Sequence, residues 1–212
     1  MRPLVIPALV TVMLSLLLVA RPATSQAPRA LDEACDESVR ALSDYLRIDT
    51  SNPPGNETAA CLFFKQRLDG AGIACHIEGS VAGRGNLWAV LKGSDPSLGA
   101  LVLLSHSDVV PADARFWSHP PFGGEIADGQ IYGRGAVDMK GIGIAQLEAF
   151  IALARAKVPL KRDVVLMLVA DEEMGARAGV RWLMEAQPAL FAHIAGVLNE
   201  EGAGLLENGR IT

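Results

Sequence analysis

Three short segments hold the residue types that bind divalent cations and move protons: Ser105-His106-Ser107-Asp108, the glycine-rich stretch Gly133–Gly141 around Asp138, and Asp171-Glu172-Glu173. An imidazole at the end of a strand is a usual zinc ligand. A carboxylate beside it can accept the other ring N–H, which fixes the tautomer and raises the basicity of the ring; Asp108 is placed for that. The glycines around Asp138 let the backbone turn tightly and approach a ligand, so a carboxylate leaving such a loop can bridge two cations. Adjacent residues at a strand end point different ways, so one of Glu172 and Glu173 can bind metal while the other faces the attacking water. That is the division of labour a hydrolase needs, with bound water brought to a pKa of about 7 and a carboxylate to take its proton.

Each segment has a plainer reading when taken alone: a polar loop, a tight turn, an acidic helix start favoured by the dipole. The plain readings weaken together, because the three segments occur in order and two of them follow apolar strands. Competing chemistries fail on pattern. The loop at Asp138 lacks the third glycine of a dinucleotide fingerprint and lacks Ser or Thr after Lys140, which a P-loop requires. There is no G-x-S-x-G elbow, no H-E-x-x-H helix, and no cysteine set as a nucleophile.

The elements that must position these groups follow from hydrophobic pattern. Leu31, Ala34, Val39, Leu42 and Leu46 share one face of a helix over 30–46. Asp49 to Gly55 stops it as a loop. A second helix runs from about Asn56, its expected cap, to Leu68; Asn56-Glu57-Thr58 also spells a glycosylation acceptor, with capping the preferred role. Ile73–Glu78 and Asn86–Leu91 read as strands, Gly141–Ala156 and Val180–Ala186 as helices, and Ala195–Leu198 as a last strand. Ala100–Leu104 and Val164–Ala170 are continuous apolar runs, the mark of strands covered on both faces. The alternation gives an α/β fold, a largely parallel mixed sheet with helices on both faces. Polar groups follow the C-terminal ends of three apolar strands, as Ser105–Asp108, Asp171–Glu173 and Asn199-Glu200-Glu201, and that edge is where such sheets bind ligands.

With 212 residues, half of them hydrophobic, the chain can bury one sizeable core. A net charge of -5 argues against a nucleic-acid partner. Met1–Ser25 has the form of a secretory signal peptide: a positive start, an apolar run from Leu4 to Ala20, then small residues before Gln26. The run is short for a spanning helix, so no stable membrane insertion is expected after cleavage, and the protein is expected to be secreted or periplasmic. Export permits disulfides. Of Cys35, Cys61 and Cys75, the last two could meet if the helix carrying one packs on the strand carrying the other.

The motifs resemble those of the co-catalytic zinc metallopeptidases, a family that includes the aminoacylases, carboxypeptidase S, glutamate carboxypeptidase and succinyl-diaminopimelate desuccinylase. Leu103 to Pro111 resembles the first metal motif, Trp117 to Phe122 the segment after it, Tyr132 to Gly141 the second motif, Ala170 to Gly175 the third, and Asp49 to Gly55 the N-terminal loop; the likeness extends over residues 30–205. The resemblance implies that His106 binds one metal, Asp138 bridges two, Glu173 binds the second, Glu172 is the general base and Asp108 orients His106. It places a further ligand at Glu200, with Glu201 as the alternative, and a cis peptide after Asp138. It implies two Zn2+ ions, with Co2+ or Mn2+ acceptable to similar N/O sites, a small peptide or N-acyl amino acid substrate, and a homodimer for a full-length protein. The family's last histidine ligand lies after an inserted lid domain. His76, His119 and His193 do not fit that role, so residues 26–212 are expected to be the N-terminal part of a catalytic domain. The rival expectation is a metal-binding fragment without turnover.

Overall fold

The computed structural model describes residues 26–200, 206–207 and 210–211. The leader-like residues 1–25 and Glu201 lie outside these. The chain separates into a short N-terminal unit, 1–37, and a body, 38–212. The helices are α1 (Gln26–Leu46), α2 (Glu57–Gly70), α3 (Lys140–Arg155) and α4 (Val180–Ala186). The strands are β1 (Cys75–Glu78), β2 (Asn86–Leu91), β3 (Ala100–His106), β4 (Glu125–Ala127), β5 (Gln130–Tyr132), β6 (Val164–Val169), β7 (Ile194–Leu198), β8 (Leu206–Glu207) and β9 (Arg210–Ile211). Among the described residues no helix is long and apolar enough to cross a membrane.

Five strands form one mixed sheet in the order β1-β2-β6-β3-β7. β6, β3 and β7 run parallel, and β2 and β1 add antiparallel at one side. All six residues of β6 are buried, as its unbroken Val-Val-Leu-Met-Leu-Val run requires of a central strand. On one face Leu87, Leu103, Leu166 and Leu168 pack with Tyr45 of α1, Phe64 and Leu68 of α2, and Ile144, Leu147 and Phe150 of α3. On the other face Trp88, Val102, Val165, Met167 and Val169 pack with Leu183 of α4. Helices therefore cover both faces, as the α/β reading expects.

Two details position the site. The chain leaves β3 for β6 on one side and then returns past β3 to β7 on the other. In open α/β sheets that reversal opens a crevice at the carboxyl ends of the strands. The ladder between β3 and β6 runs to His106 opposite Val169, whereas the ladder between β3 and β7 ends earlier, at Leu103 opposite Leu198.

Several local expectations are corrected. Asn56 does stand at the start of α2, but its side chain caps nothing there; its Nδ2 donates to the Asp49 carbonyl at 3.2 Å. Cys61 and Cys75 are both free thiols. They sit on packed elements, α2 and β1, and burial raises the pKa of both, the Cys61 thiol far more strongly. The sequence reading missed the β4–β5 hairpin. Its two-residue turn is Asp128-Gly129, both with positive φ (51° and 73°), the conformation that an Asp-Gly pair favours.

Candidate metal centre

His106 ends β3 and is 2% exposed. Its Nδ1 lies 2.9 Å from the Asp108 main-chain carbonyl, an acceptor only, so Nδ1 carries the proton. The Asp108 carboxylate is farther from that nitrogen, at 3.6 Å. Nε2 faces outward to carboxylates: Asp138 Oδ1 at 3.0 Å, Glu200 Oε1 at 3.4 Å and Glu172 Oε2 at 3.9 Å. The ligand atoms of His106, Asp138 and Glu200 all fall within 4.8 Å of one another, and so do those of His106, Glu172 and Glu173. Glu172 and Glu173 do not diverge as strand neighbours would; they sit on a 3-10 turn, Glu172–Met174, beyond the end of β6.

The Asp138 loop is anchored on both sides. Gly135 takes φ +86°, and the Lys140 N–H closes onto the Gly135 carbonyl at 2.8 Å. The Asp138–Met139 peptide is cis. Met139 is fully buried and its sulfur accepts from the His106 N–H at 3.2 Å. The Lys140 ammonium is buried, donates to the Ile48 carbonyl at 2.6 Å and lies over the Tyr45 ring, so the loop is tied to the end of α1. Burial lowers the Lys140 pKa to about 8.

A second set of residues, of which Arg84 and Glu57 lie outside every metal motif, fixes the Glu172 turn. The Asp108 carboxylate is fully buried and accepts from the main-chain N–H of Glu172 (3.0 Å), that of Glu173 (3.2 Å) and Asn52 Nδ2 (2.8 Å). Asn52 also reaches Asp171 at 3.0 Å. Asp171 sits in the left-handed region at φ +65°, a cost that Asp tolerates better than most residues. Its carboxylate takes Asn52, Arg84 Nη2 at 2.8 Å and the Ala178 N–H at 3.0 Å. Arg84 in turn forks onto the fully buried Glu57, both contacts at 2.8 Å. Burial alone would raise the pKa of Asp108 and Asp171. For Asp108 the His106 ring and Asn52 reverse it, and for Asp171 the Ala178 N–H, Asn52 and Arg84 do so, leaving both below the usual carboxylate value.

The donor set fits a divalent cation. Ligand distances of about 2.1 Å in a tetrahedral shell place neighbouring donor atoms about 3.4 Å apart. The 3.0 and 3.4 Å separations from His106 Nε2 to Asp138 and Glu200 are of that size. Charge points the same way. Burial and the Asp138 carboxylate both raise the pKa of Glu173 and of Glu200. Burial opposes charge on His106, yet Asp108 and Glu200 overcome it and lift its pKa to about 9. Among the described residues no Lys or Arg pairs with Asp138, Glu172, Glu173 or Glu200, and the His106 ring is the cationic neighbour of Asp138, Glu172 and Glu200. An open cleft of about 400 Å³, lined by Val137, Asp138, Ile142, Glu172 and Glu200, gives access to the cluster.

A mixed sheet thus gathers His, Asp and Glu near its carboxyl edge, and sequence comparison assigns the family. The chain belongs to peptidase family M20/M25/M40, whose model matches residues 102–211. It is 38% identical to aminoacylase-1 of Sus scrofa over 166 residues, which is 78% of this chain and 40% of that protein. It is 37% identical to succinyl-diaminopimelate desuccinylase of Rhodospirillum centenum over 138 residues, 61% of this chain and 35% of that protein. Among solved structures, an M20 family metallo-carboxypeptidase of Sulfolobus solfataricus superposes with a TM-score of 0.68 at 26% identity, covering 82% of this chain and 39% of that one. The chain thus spans about 40% of the length of the aminoacylases it matches.

Proposed function

We propose that this chain supplies the cation-binding core of an amide hydrolase acting on peptides or N-acyl amino acids. The observation that carries the reading is the convergence of His106, Asp138 and Glu200, from three different elements, on one point at the carboxyl edge of the sheet, with Glu172 beside them. His106 Nε2, Asp138 and Glu200 would hold one divalent ion, zinc by donor type, with cobalt or manganese as alternatives. Asp138 and Glu173 would contribute to a second. Bound there, such an ion polarises a carbonyl and lowers the pKa of water.

The chain's own groups do the rest. Glu172 is half exposed to the cleft, so its carboxylate can take a proton from the attacking water and return it to the leaving amine. Asp108 holds the Glu172 main chain through its N–H, so the base is aimed by a buried anchor. The substrate class rests on the named relatives, an aminoacylase and a desuccinylase. The leader-like residues 1–25 support export of the protein.

One observation favours a second reading, a metal-binding module without turnover. Among the described residues Asp138 and Glu173 are one short of the three protein ligands that a catalytic zinc has. Glu172→Gln tests both. The first reading expects hydrolysis of an N-acyl amino acid to fall by about 10²–10⁴-fold with bound metal unchanged. Full activity in the variant would refute the base assignment, and tight metal binding without wild-type hydrolysis would establish the second reading.

A further inference from the structure

One buried amide joins the three elements that carry the proposed ligands. Gln146 lies on α3, two turns beyond Asp138, and is 9% exposed. Its Nε2 donates to the Leu104 carbonyl of β3 at 3.1 Å and to the Leu198 carbonyl of β7 at 3.2 Å. These carbonyls stand where the β3–β7 ladder stops, Leu103 opposite Leu198 being its last pair. Beyond that point no ladder pair joins the two strands among the described residues, and the Gln146 amide bonds to both of them there. Both carbonyls precede a proposed ligand by two residues: Leu104 precedes His106 and Leu198 precedes Glu200. The orientation of the amide is fixed by chemistry, since two carbonyl oxygens accept only from the NH2 end. Its oxygen has no partner among the described residues. A buried polar atom left unpaired carries a cost of about 1–3 kcal/mol. The NH2 end is thus spent on both strand ends while the oxygen is left unpaired, the pattern of a strand tie.

We propose that Gln146 is a positioning residue that sets the separation of His106 and Glu200, and so tunes the affinity of the cation site. The inference rests on the His106–Asp138–Glu200 reading given above. Gln146 touches neither metal nor substrate; it acts through the two strand ends and through α3, whose first turn follows Asp138.

The test is titration of the chelator-treated chain with Co2+, followed by absorbance, and with Zn2+, followed by calorimetry. Gln146→Met keeps the side-chain length and removes both donors. Loss of a partner that orients a ligand costs about 10–100-fold in metal affinity, and about tenfold is expected here. The Co2+ spectrum should change shape, which loss of stability alone does not produce. Ile151→Ala, a cavity on the same helix, is the control: it should lower the melting temperature more than Gln146→Met and leave affinity within about twofold, because Ile151 packs in the core cluster and lies farther along the helix from Asp138. Glu200→Gln should weaken binding, and adding Gln146→Met to it should cost less than about twofold more, since the two act in series. If Gln146→Met does not fold, Gln146→Asn, one methylene shorter and unable to span both carbonyls, makes the same comparison. Unchanged affinity and spectrum on removing the amide, with Glu200→Gln still weakening binding, would overturn this proposal alone. Unchanged affinity in Glu200→Gln would overturn the site reading and this inference with it.

Discussion

Replacing Arg84 by methionine should destabilise the body of the protein and loosen the turn that carries Glu172. Arg84 is 16% exposed, and Glu57, its partner through both Nε and Nη2, is 0% exposed. The variant keeps the aliphatic stem and leaves a carboxylate buried without its cation. Removing one partner of a buried ion pair costs about 3–5 kcal/mol. Asp171, also paired to Arg84, keeps Asn52 and the Ala178 N–H, so its share is small and about 3–4 kcal/mol is the expected total. For a domain of this size each kcal/mol lowers the melting temperature by about 2–4 °C, so calorimetry should record a fall of about 6–16 °C. Arg84→Lys should recover less than half, because one ammonium cannot fork onto Glu57 and reach Asp171 together. A fall under about 2 °C, or full recovery with lysine, would refute the view that this fork is what makes the buried Glu57 tolerable.

Asp108→Asn keeps the shape but sets an NH2 group against N–H donors, so metal affinity should drop about 10–100-fold by calorimetric titration with the helical content unchanged. Gly179→Ala should cost about 3 kcal/mol or more by urea denaturation, because a Cβ there runs into the Ala170 main chain at the base of the Asp171–Gly179 turn. The side-chain contact of Lys92 and then the Gly93 N–H hold Asp163 below the usual carboxylate value. Its stabilisation is therefore present above the unfolded pKa of about 3.9 and lost as pH falls through the lower folded value. Asp163→Asn should cost about 1 kcal/mol at pH 7 and progressively less as pH is lowered below about 3.9, read from denaturation across that range.

The central strands were legible because burial on both faces leaves nothing to alternate: Val164–Val169 is apolar throughout and buried throughout. The groups at their carboxyl ends were legible for the same reason, since polar residues directly after such runs must sit at the sheet edge. His106, Asp138, Glu172, Glu173 and Glu200 do come together there. What holds them was not legible. Asn52 belongs to the Asp49–Gly55 loop, but it meets Asp108 and Asp171 from 56 and 119 positions away, so no local pattern points to its partners. Arg84 lies in the loop between β1 and β2, outside every motif, and its role appears only where α2 and the Asp171 turn meet it. Asp171 was visible as part of an acidic triplet, but its left-handed backbone was not, because strand periodicity was carried one step past the real end of β6. Asn56 fitted a cap by type and position, and the loop that ends α1 drew its side chain to Asp49 instead. Gln146 looked like an ordinary helix residue; its meaning comes from a ladder that stops early.

The central claim is that His106, Asp138 and Glu200 hold a divalent cation together. The most direct measurement is calorimetric titration of the chelator-treated chain with Zn2+, alongside His106→Ala. The account predicts saturable binding in the parent chain and a loss of about 100-fold or more without the imidazole. Equal binding by the two proteins, or no saturable binding by the parent, would contradict it.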